Sequence, residues 1–308
     1  TVLALILVAA VGVAGVLLPR GGSGDVYVEL AALYQAQGKS AEAAAALERG
    51  AEMGFSSADA WARAGAVYAG ISRVEEAIDA YNRAIRLAET EKQMTYMDNL
   101  ARVYAQAGQP EKAIEIYHEL ADRNPQQASW YYTRLGDMFF GMQNFPEALA
   151  AYQQAVEKSP SAAAYVQMGE IYLLQQQREL AFEVYQKALE LDPRNHQANF
   201  RVGEHYRRGG DCERAMQHYI VASESNPASE WPLLGMGACY LQARNYQTAL
   251  EYYQTAIAKN PNNPRGYVGT GQVYLALQDC EQARNQFNQA LTLDPANQAA
   301  KDGLAKCQ

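Results

Sequence analysis

The sequence predicts an all-α, right-handed solenoid of about eight helical hairpins, closed by a short C-terminal helix and preceded by one transmembrane helix. Three observations predict it. The first is an uncharged, apolar run from Val2 to Leu18. The second is an alanine that returns every 33 to 36 residues through the rest of the chain. The third is an aromatic residue at a fixed offset on either side of that alanine. Composition agrees. A chain of 308 residues with 49% apolar side chains can bury a core and is not disordered. A net charge of -8, from 34 Asp+Glu against 26 Lys+Arg, argues against nucleic-acid binding, which needs clustered cations.

In chain order, residues 1–18 come first. Seventeen residues from Val2 to Leu18 would make a helix of about 26 Å, slightly short of a hydrocarbon core of about 30 Å. The reading is a single N-terminal membrane anchor. A cleaved signal sequence and a buried helix are the alternatives. Residues 19–24 (Pro-Arg-Gly-Gly-Ser-Gly) read as a helix stop and flexible linker.

Residues 25–295 hold eight copies of one unit. The recurring alanines are 43, 77, 113, 148, 181, 215, 249 and 283. Nine residues before them stand Tyr34, Tyr68, Tyr104, Phe139, Tyr172, Tyr206, Tyr240 and Tyr274. Four residues after them stand Leu47, Tyr81, Tyr117, Tyr152, Tyr185, Tyr219, Tyr253 and Phe287. Glycines at 65, 136, 169, 203, 237 and 271 let two helices approach, and the aromatics fill the space beside them. Prolines at 125, 160, 193, 227, 261 and 295 end the second helices. Thirteen of the 21 tyrosines occupy the two aromatic positions, so the tyrosine excess is structural.

This pattern resembles the tetratricopeptide repeat family. The resemblance implies paired helices in a right-handed solenoid whose first helices line a concave face. Repeat one departs from the pattern, with Ala31 in the glycine position and Phe55 in the proline position. Repeat two lacks its proline and is two residues long, so its second helix is expected to run on through Glu91 and Lys92, with a change of pitch or a hinge near 88–94. Residues 296–308 are expected to form a capping helix, covering the last repeat with Ala299, Ala300, Leu304 and Ala305.

The four cysteines form two equivalent pairs. Cys212 to Cys239 and Cys280 to Cys307 each span 27 residues, and the pairs are two repeats apart. Each pair joins the start of one second helix to the end of the next first helix, at matching levels about a turn. Two disulfides are therefore expected, Cys212–Cys239 and Cys280–Cys307. The alternative is that a two-repeat duplication copied two buried thiols. Disulfides would place the solenoid outside the cytoplasm, periplasmic or external. Arg20, beside the apolar segment, favours the cytoplasmic side and is outweighed. The absence of an Asn-x-Ser/Thr sequon fits a bacterial envelope.

No nucleophile–base pair, phosphate loop or metal-ligand spacing occurs, so no enzyme activity, cofactor or metal is expected. Function is expected in the groove. By phase with the family's inward positions, its apolar lining is Trp130, Phe140, Val166, Leu173, Phe200, Trp231, Leu234, Leu241, Val268 and Leu275. Polar companions include Glu170, Glu204, Arg207, Arg208 and Arg265, while repeats two and three contribute Asp59, Ala62, Ala66, Asp98 and Arg102. Such a lining suits an apolar peptide or amphipathic helix. The alternative is that these side chains pack against neighbouring repeats. The expected function is a membrane-anchored, non-enzymatic scaffold that binds protein partners as a structural or assembly subunit of a membrane complex. A transient peptide-binding adaptor and a self-associating scaffold are the alternatives.

Overall fold

A computed structural model describes residues 24–307, and the elements there are helices joined by short turns. Seventeen α-helices occur among these residues. Hairpins pair α1 (Asp25–Ala36) with α2 (Ser40–Met53), α3 (Ala58–Gly70) with α4 (Val74–Leu87), and α5 (Thr90–Gln106) with α6 (Pro110–Arg123). Then come α7 (Ala128–Gly141) and α8 (Phe145–Lys158), followed by hairpins of α9 (Ala162–Leu174) with α10 (Arg178–Leu191) and α11 (His196–Arg208) with α12 (Cys212–Ser225). The last are α13 (Trp231–Gln242) and α14 (Tyr246–Lys259), then α15 (Pro264–Ala276) and α16 (Cys280–Leu293), with α17 (Gln298–Ala305) at the end. The described residues fall into two compact units, divided between Met138 and Phe139.

The helix boundaries follow local chemistry. Several helices begin at a Ser, Asn or Asp whose side chain accepts a first-turn N–H. Ser57 Oγ receives Ala60 N–H at 3.1 Å, Asn195 Oδ1 receives Ala198 N–H at 3.0 Å, and Asp279 Oδ1 receives Gln282 N–H at 3.0 Å. Between the two helices of a hairpin the chain passes through one left-handed residue. It is Gly38, Gly108 or Gly210 in three hairpins and Ser72, Gln176, Arg244 or Gln278 in the other four, and Gln143 is left-handed in the turn between α7 and α8.

In the first unit the core gathers Val28, Leu47, Tyr68, Tyr81 and Leu100 around the fully buried Ala31, Ala43, Ala64, Ala77 and Ala84. In the second unit Tyr152, Tyr185, Tyr219 and Phe287 are fully buried. Each of the last three faces the backbone of a glycine on its own hairpin's first helix: Gly169, Gly203 and Gly271 respectively.

Several expectations require correction. The second helix of repeat two does not run on: α4 stops at Leu87, and Glu91 and Lys92 lie in the first turn of α5. The two extra residues therefore lengthen the next first helix, to 17 residues. Gln93 Nε2 donates to Ile85 O at 3.0 Å and so occupies a carbonyl at the end of α4. Gly24, placed in the linker, is buried, and its N–H donates to Gly54 O at 3.0 Å. The capping helix covers the last repeat with Ala300, Gly303 and Leu304, and Cys307 does so from the turn beyond it, whereas Ala299 and Ala305 are exposed. The anchor expected over 1–18 lies outside the described residues. Among the described residues no helix is long and apolar enough to cross a membrane.

The two cysteine pairs differ. Cys212 and Cys239 are joined in a disulfide, with Cα atoms 5.5 Å apart. Cys280 and Cys307 share one apolar cluster but are not bonded, contrary to the expectation of a second bridge. The two thiols are within hydrogen-bond reach of each other, and that contact raises the Cys307 thiol above its ordinary value. Cys239 sits within α13, three residues before its end, whereas α17 stops at Ala305 and leaves Cys307 in the turn beyond.

Candidate functional site

The candidate site lies in the second unit, where the first helices α11, α13, α15 and α17 contact one another in succession. Trp231 opens α13, followed by Pro232, which suits a first helical turn because that turn's N–H groups lack helical partners. Glu230 fixes this start. Its carboxylate is buried and accepts from Asn260 Nδ2 at 2.9 Å and Asn263 Nδ2 at 3.1 Å, both in the next inter-helix turn. Burial alone would raise the Glu230 carboxyl; the two amide hydrogen bonds outweigh it and hold it below the ordinary glutamate value.

The Trp231 ring remains 37% exposed. Phe200 on α11 lies 6.2 Å away between ring centroids, and the Arg265 guanidinium on α15 stands over the indole at 4.9 Å. Leu234, one turn into α13, is half-buried. These side chains, with Arg207 and the buried Val268, line a cavity of about 280 Å³. Gly235 and Gly269 also line it, with their bare backbones against the rings of Tyr219 and Tyr253.

Two carboxylates hold the helices around this wall. Glu170 on α9 accepts from Tyr185 Oη at 2.7 Å, from Gln197 Nε2 at 3.0 Å, and from both forks of Arg201 at 2.8 and 2.7 Å. The Arg201 pair crosses from one repeat to the next, with its carboxylate partner largely buried. Glu204 on α11 accepts two hydrogen bonds from Arg207, each 2.9 Å, and one from Tyr219 Oη. In both glutamates burial pushes the carboxyl up, and the arginine and tyrosine donors more than offset it, leaving the group below its ordinary value.

The nine expected lining residues that fall in the second unit do not line one cavity. Phe200, Trp231, Leu234 and Val268 line the cavity just described. Leu173 lines a separate crevice. Val166 is 4% exposed and packs with Tyr185, Ala198 and Val202, so it belongs to the core between repeats. Leu241 packs against Ala249, Tyr253 and Val273, and Leu275 against Phe287 and the cap. Phe140 packs on Phe145, with centroids 5.9 Å apart. Trp130 belongs to the first unit, where it is exposed beneath Arg134 at 4.8 Å. Arg265, expected on the same inner face, lines the cavity and stands over the indole.

In the first unit, Asp59, Ala62, Ala66 and Arg102 line a polar cavity of about 550 Å³ with Tyr96 and Asn99. Asp59 accepts hydrogen bonds from Lys92 and Tyr96, and the Tyr96 hydroxyl is pushed up to about 12 by burial and by that carboxylate. Asp98 does not line this cavity. Burial raises its carboxyl despite the Tyr117 hydroxyl that donates to it. Among the described residues no three His, Cys, Asp or Glu side chains gather as a metal ion would require.

Models of the tetratricopeptide repeat match residues 56–126, 94–161, 133–196, 166–230 and 240–307, together more than three quarters of the chain. Over 85 residues the chain is 35% identical to small glutamine-rich tetratricopeptide repeat-containing protein 2 of Mycosarcoma maydis, covering 28% of this chain and 23% of that protein. Over 117 residues it is 31% identical to BBSome complex member BBS4 of Bos taurus, covering 37% and 22%. The chain thus spans less than a quarter of either relative. The crystal structure of YrrB, described as a tetratricopeptide repeat protein with an unusual peptide-binding site, shares the fold at 19% identity with a TM-score of 0.51, covering 60% of this chain and 96% of that one. The repeats, the hairpins and these matches agree, and the chain belongs to the tetratricopeptide repeat family.

Proposed function

We propose that this protein is a non-enzymatic scaffold for protein–protein interaction, and that its second unit takes an apolar side chain of a partner segment into the cavity beside Trp231. The observation that carries this reading is the exposure of the Trp231 indole next to half-buried Phe200 and Leu234. A large aromatic at the mouth of a cavity, set by a hydrogen-bonded helix start, has the character of an interface anchor. Membership of a complex in one relative and a peptide-binding site in a protein of the same fold support it.

The apolar run of residues 2–18 supports a finer reading: a membrane anchor that holds the solenoid as a resident subunit of a membrane or envelope complex, with the solenoid outside the cytoplasm. The Cys212–Cys239 disulfide favours that side of the membrane. Purification from native membranes in mild detergent tests the reading. A stoichiometric integral-membrane partner supports a resident subunit, whereas only soluble proteins lost on washing indicate a transient adaptor.

The cavity is tested by Trp231→Ala combined with Leu234→Ala, with folding checked by circular dichroism. Partner recovery should fall at least tenfold while the helical signal is retained, on the scale of an aromatic anchor worth about 2 kcal/mol. Unchanged recovery removes the cavity from the account.

A further inference from the structure

A second crevice, of about 350 Å³, opens between α9, α10 and α11. Glu204 lines both this crevice and the Trp231 cavity, so the two are neighbours within one unit. Its apolar part is Leu173 and Phe182, the latter stacked against His205 with ring centroids 3.9 Å apart. Three arginines also line it: Arg178, Arg201 and Arg208.

The carboxylates nearby do not neutralise them all. Glu170 is taken by Arg201. Glu204 is taken by both forks of Arg207 and by Tyr219, which leaves Arg208 a single contact with it at 3.8 Å. Glu179 is the other acid on the lining, and no ion pair within 4.0 Å joins it to Arg178 or Arg208 among the described residues. Arg208 has an ordinary explanation, since it lies in the last turn of α11, where the helix dipole favours a cation. Arg178 has none. It is the first residue of α10, at the end where the same dipole disfavours a cation and favours an anion. The first-turn N–H groups of α10 add to the same sign of potential. Arg178 is exposed at the crevice and joins no ion pair among the described residues.

We infer that this crevice takes the side-chain carboxylate of an acidic residue in the partner segment whose apolar residue enters the Trp231 cavity. The inference rests on the function proposed above and names the partner's chemistry: an apolar anchor with Asp or Glu a few residues away, on an extended chain rising about 3.3 Å per residue. Arg178 and Arg208 would each donate to the carboxylate, while Leu173 and Phe182 cover its methylene stem.

A randomised dodecapeptide display library, selected on the full chain and on an Arg178→Gln, Arg208→Gln variant, tests it. The wild-type chain should enrich peptides with an aromatic or aliphatic anchor and a nearby acid. The variant should keep the anchor and lose the acid. In the best wild-type peptide, changing the acid to its amide should weaken binding about tenfold to the wild type and less than twofold to the variant. Apolar anchors without acidic enrichment on the wild type overturn the inference and leave the Trp231 reading intact. No enrichment on the wild type overturns both. An Arg178→Lys, Arg208→Lys variant keeps the charge and should keep a preference for acid. If both variants lose apolar selection as well, the arginines are structural and the inference fails.

Discussion

A methyl group placed on Gly269 would lie 2.3 Å from the Tyr253 ring. The same ring meets Gly237 on its own hairpin's first helix, where an added carbon would stand 2.9 Å away. Tyr253 is therefore held between two bare backbones, one from its own repeat and one from the next. Tyr219 repeats this between Gly203 and Gly235, and Phe287 between Gly271 and Gly303.

The double-glycine arrangement predicts the result of Gly269→Ala. Tyr253 is buried, so the ring cannot swing into solvent and the helices must separate. Overpacking of this kind costs about 1–3 kcal/mol. Gly141→Ala is the control, because nothing lies within 4 Å of its added carbon. Urea unfolding should show a lowered midpoint for the first and little change, or a small gain, for the second. Equal midpoints would show that the ring yields freely.

The first glycine of each pair was legible in the sequence, because it recurs in phase with the aromatics. The second is legible too: Gly235, Gly269 and Gly303 are 34 residues apart. One step earlier that position holds Arg201, which instead reaches Glu170. The change from a charged pair to a glycine contact breaks the pattern where a periodic reading would have found it. The hairpins, their order and the cap followed from period alone. The lining of the site did not, because helix phase says which residues face inward but not how deeply. Val166 and Trp231 were both placed on the inner face; one is buried between repeats and the other open. That difference depends on how closely neighbouring first helices pack, which no single repeat encodes.

Glu170 and Glu204 predict a pH dependence. Both carboxyls sit below their ordinary value of 4.5 in the folded chain. Their contribution is thus complete above about pH 4.5, the unfolded value, and fades as pH falls through the lower folded values. Urea midpoints measured from pH 7 down to pH 3 should fall in that acid window. Glu170→Gln should lower the midpoint at pH 7, since it strands Arg201 without its charge partner, and should flatten part of the acid slope. An unchanged slope would show that other carboxylates set the acid limit.

The unequal cysteine pairs predict a thiol count. Unreduced protein, denatured, should show two reactive thiols, from Cys280 and Cys307, rising to four after reduction. The Cys212–Cys239 bridge spans 27 residues, for which the chain-entropy model gives about 3–4 kcal/mol. Cys212→Ser with Cys239→Ser should lower the midpoint of the second unit accordingly. Four thiols before reduction would show that the bridge does not form in solution.

The hairpin turns offer a gain of stability. Gln176 and Gln278 adopt φ of 62° and 63°, in the left-handed region where a β-carbon is unfavourable. The equivalent positions in other hairpins are Gly38, Gly108 and Gly210. Both glutamines are exposed, so replacing them removes no core contact. Glycine relieves the backbone but adds freedom to the unfolded chain, and the two effects oppose each other. At a helix C-terminus in this conformation relief is the larger effect, because glycine is the favoured residue there. Gln176→Gly and Gln278→Gly should each raise stability by up to about 1 kcal/mol, and being about three repeats apart they should add. Thermal unfolding of the single and double variants checks this. A loss in both would show that the glutamine side chains stabilise the turns by contacts of their own.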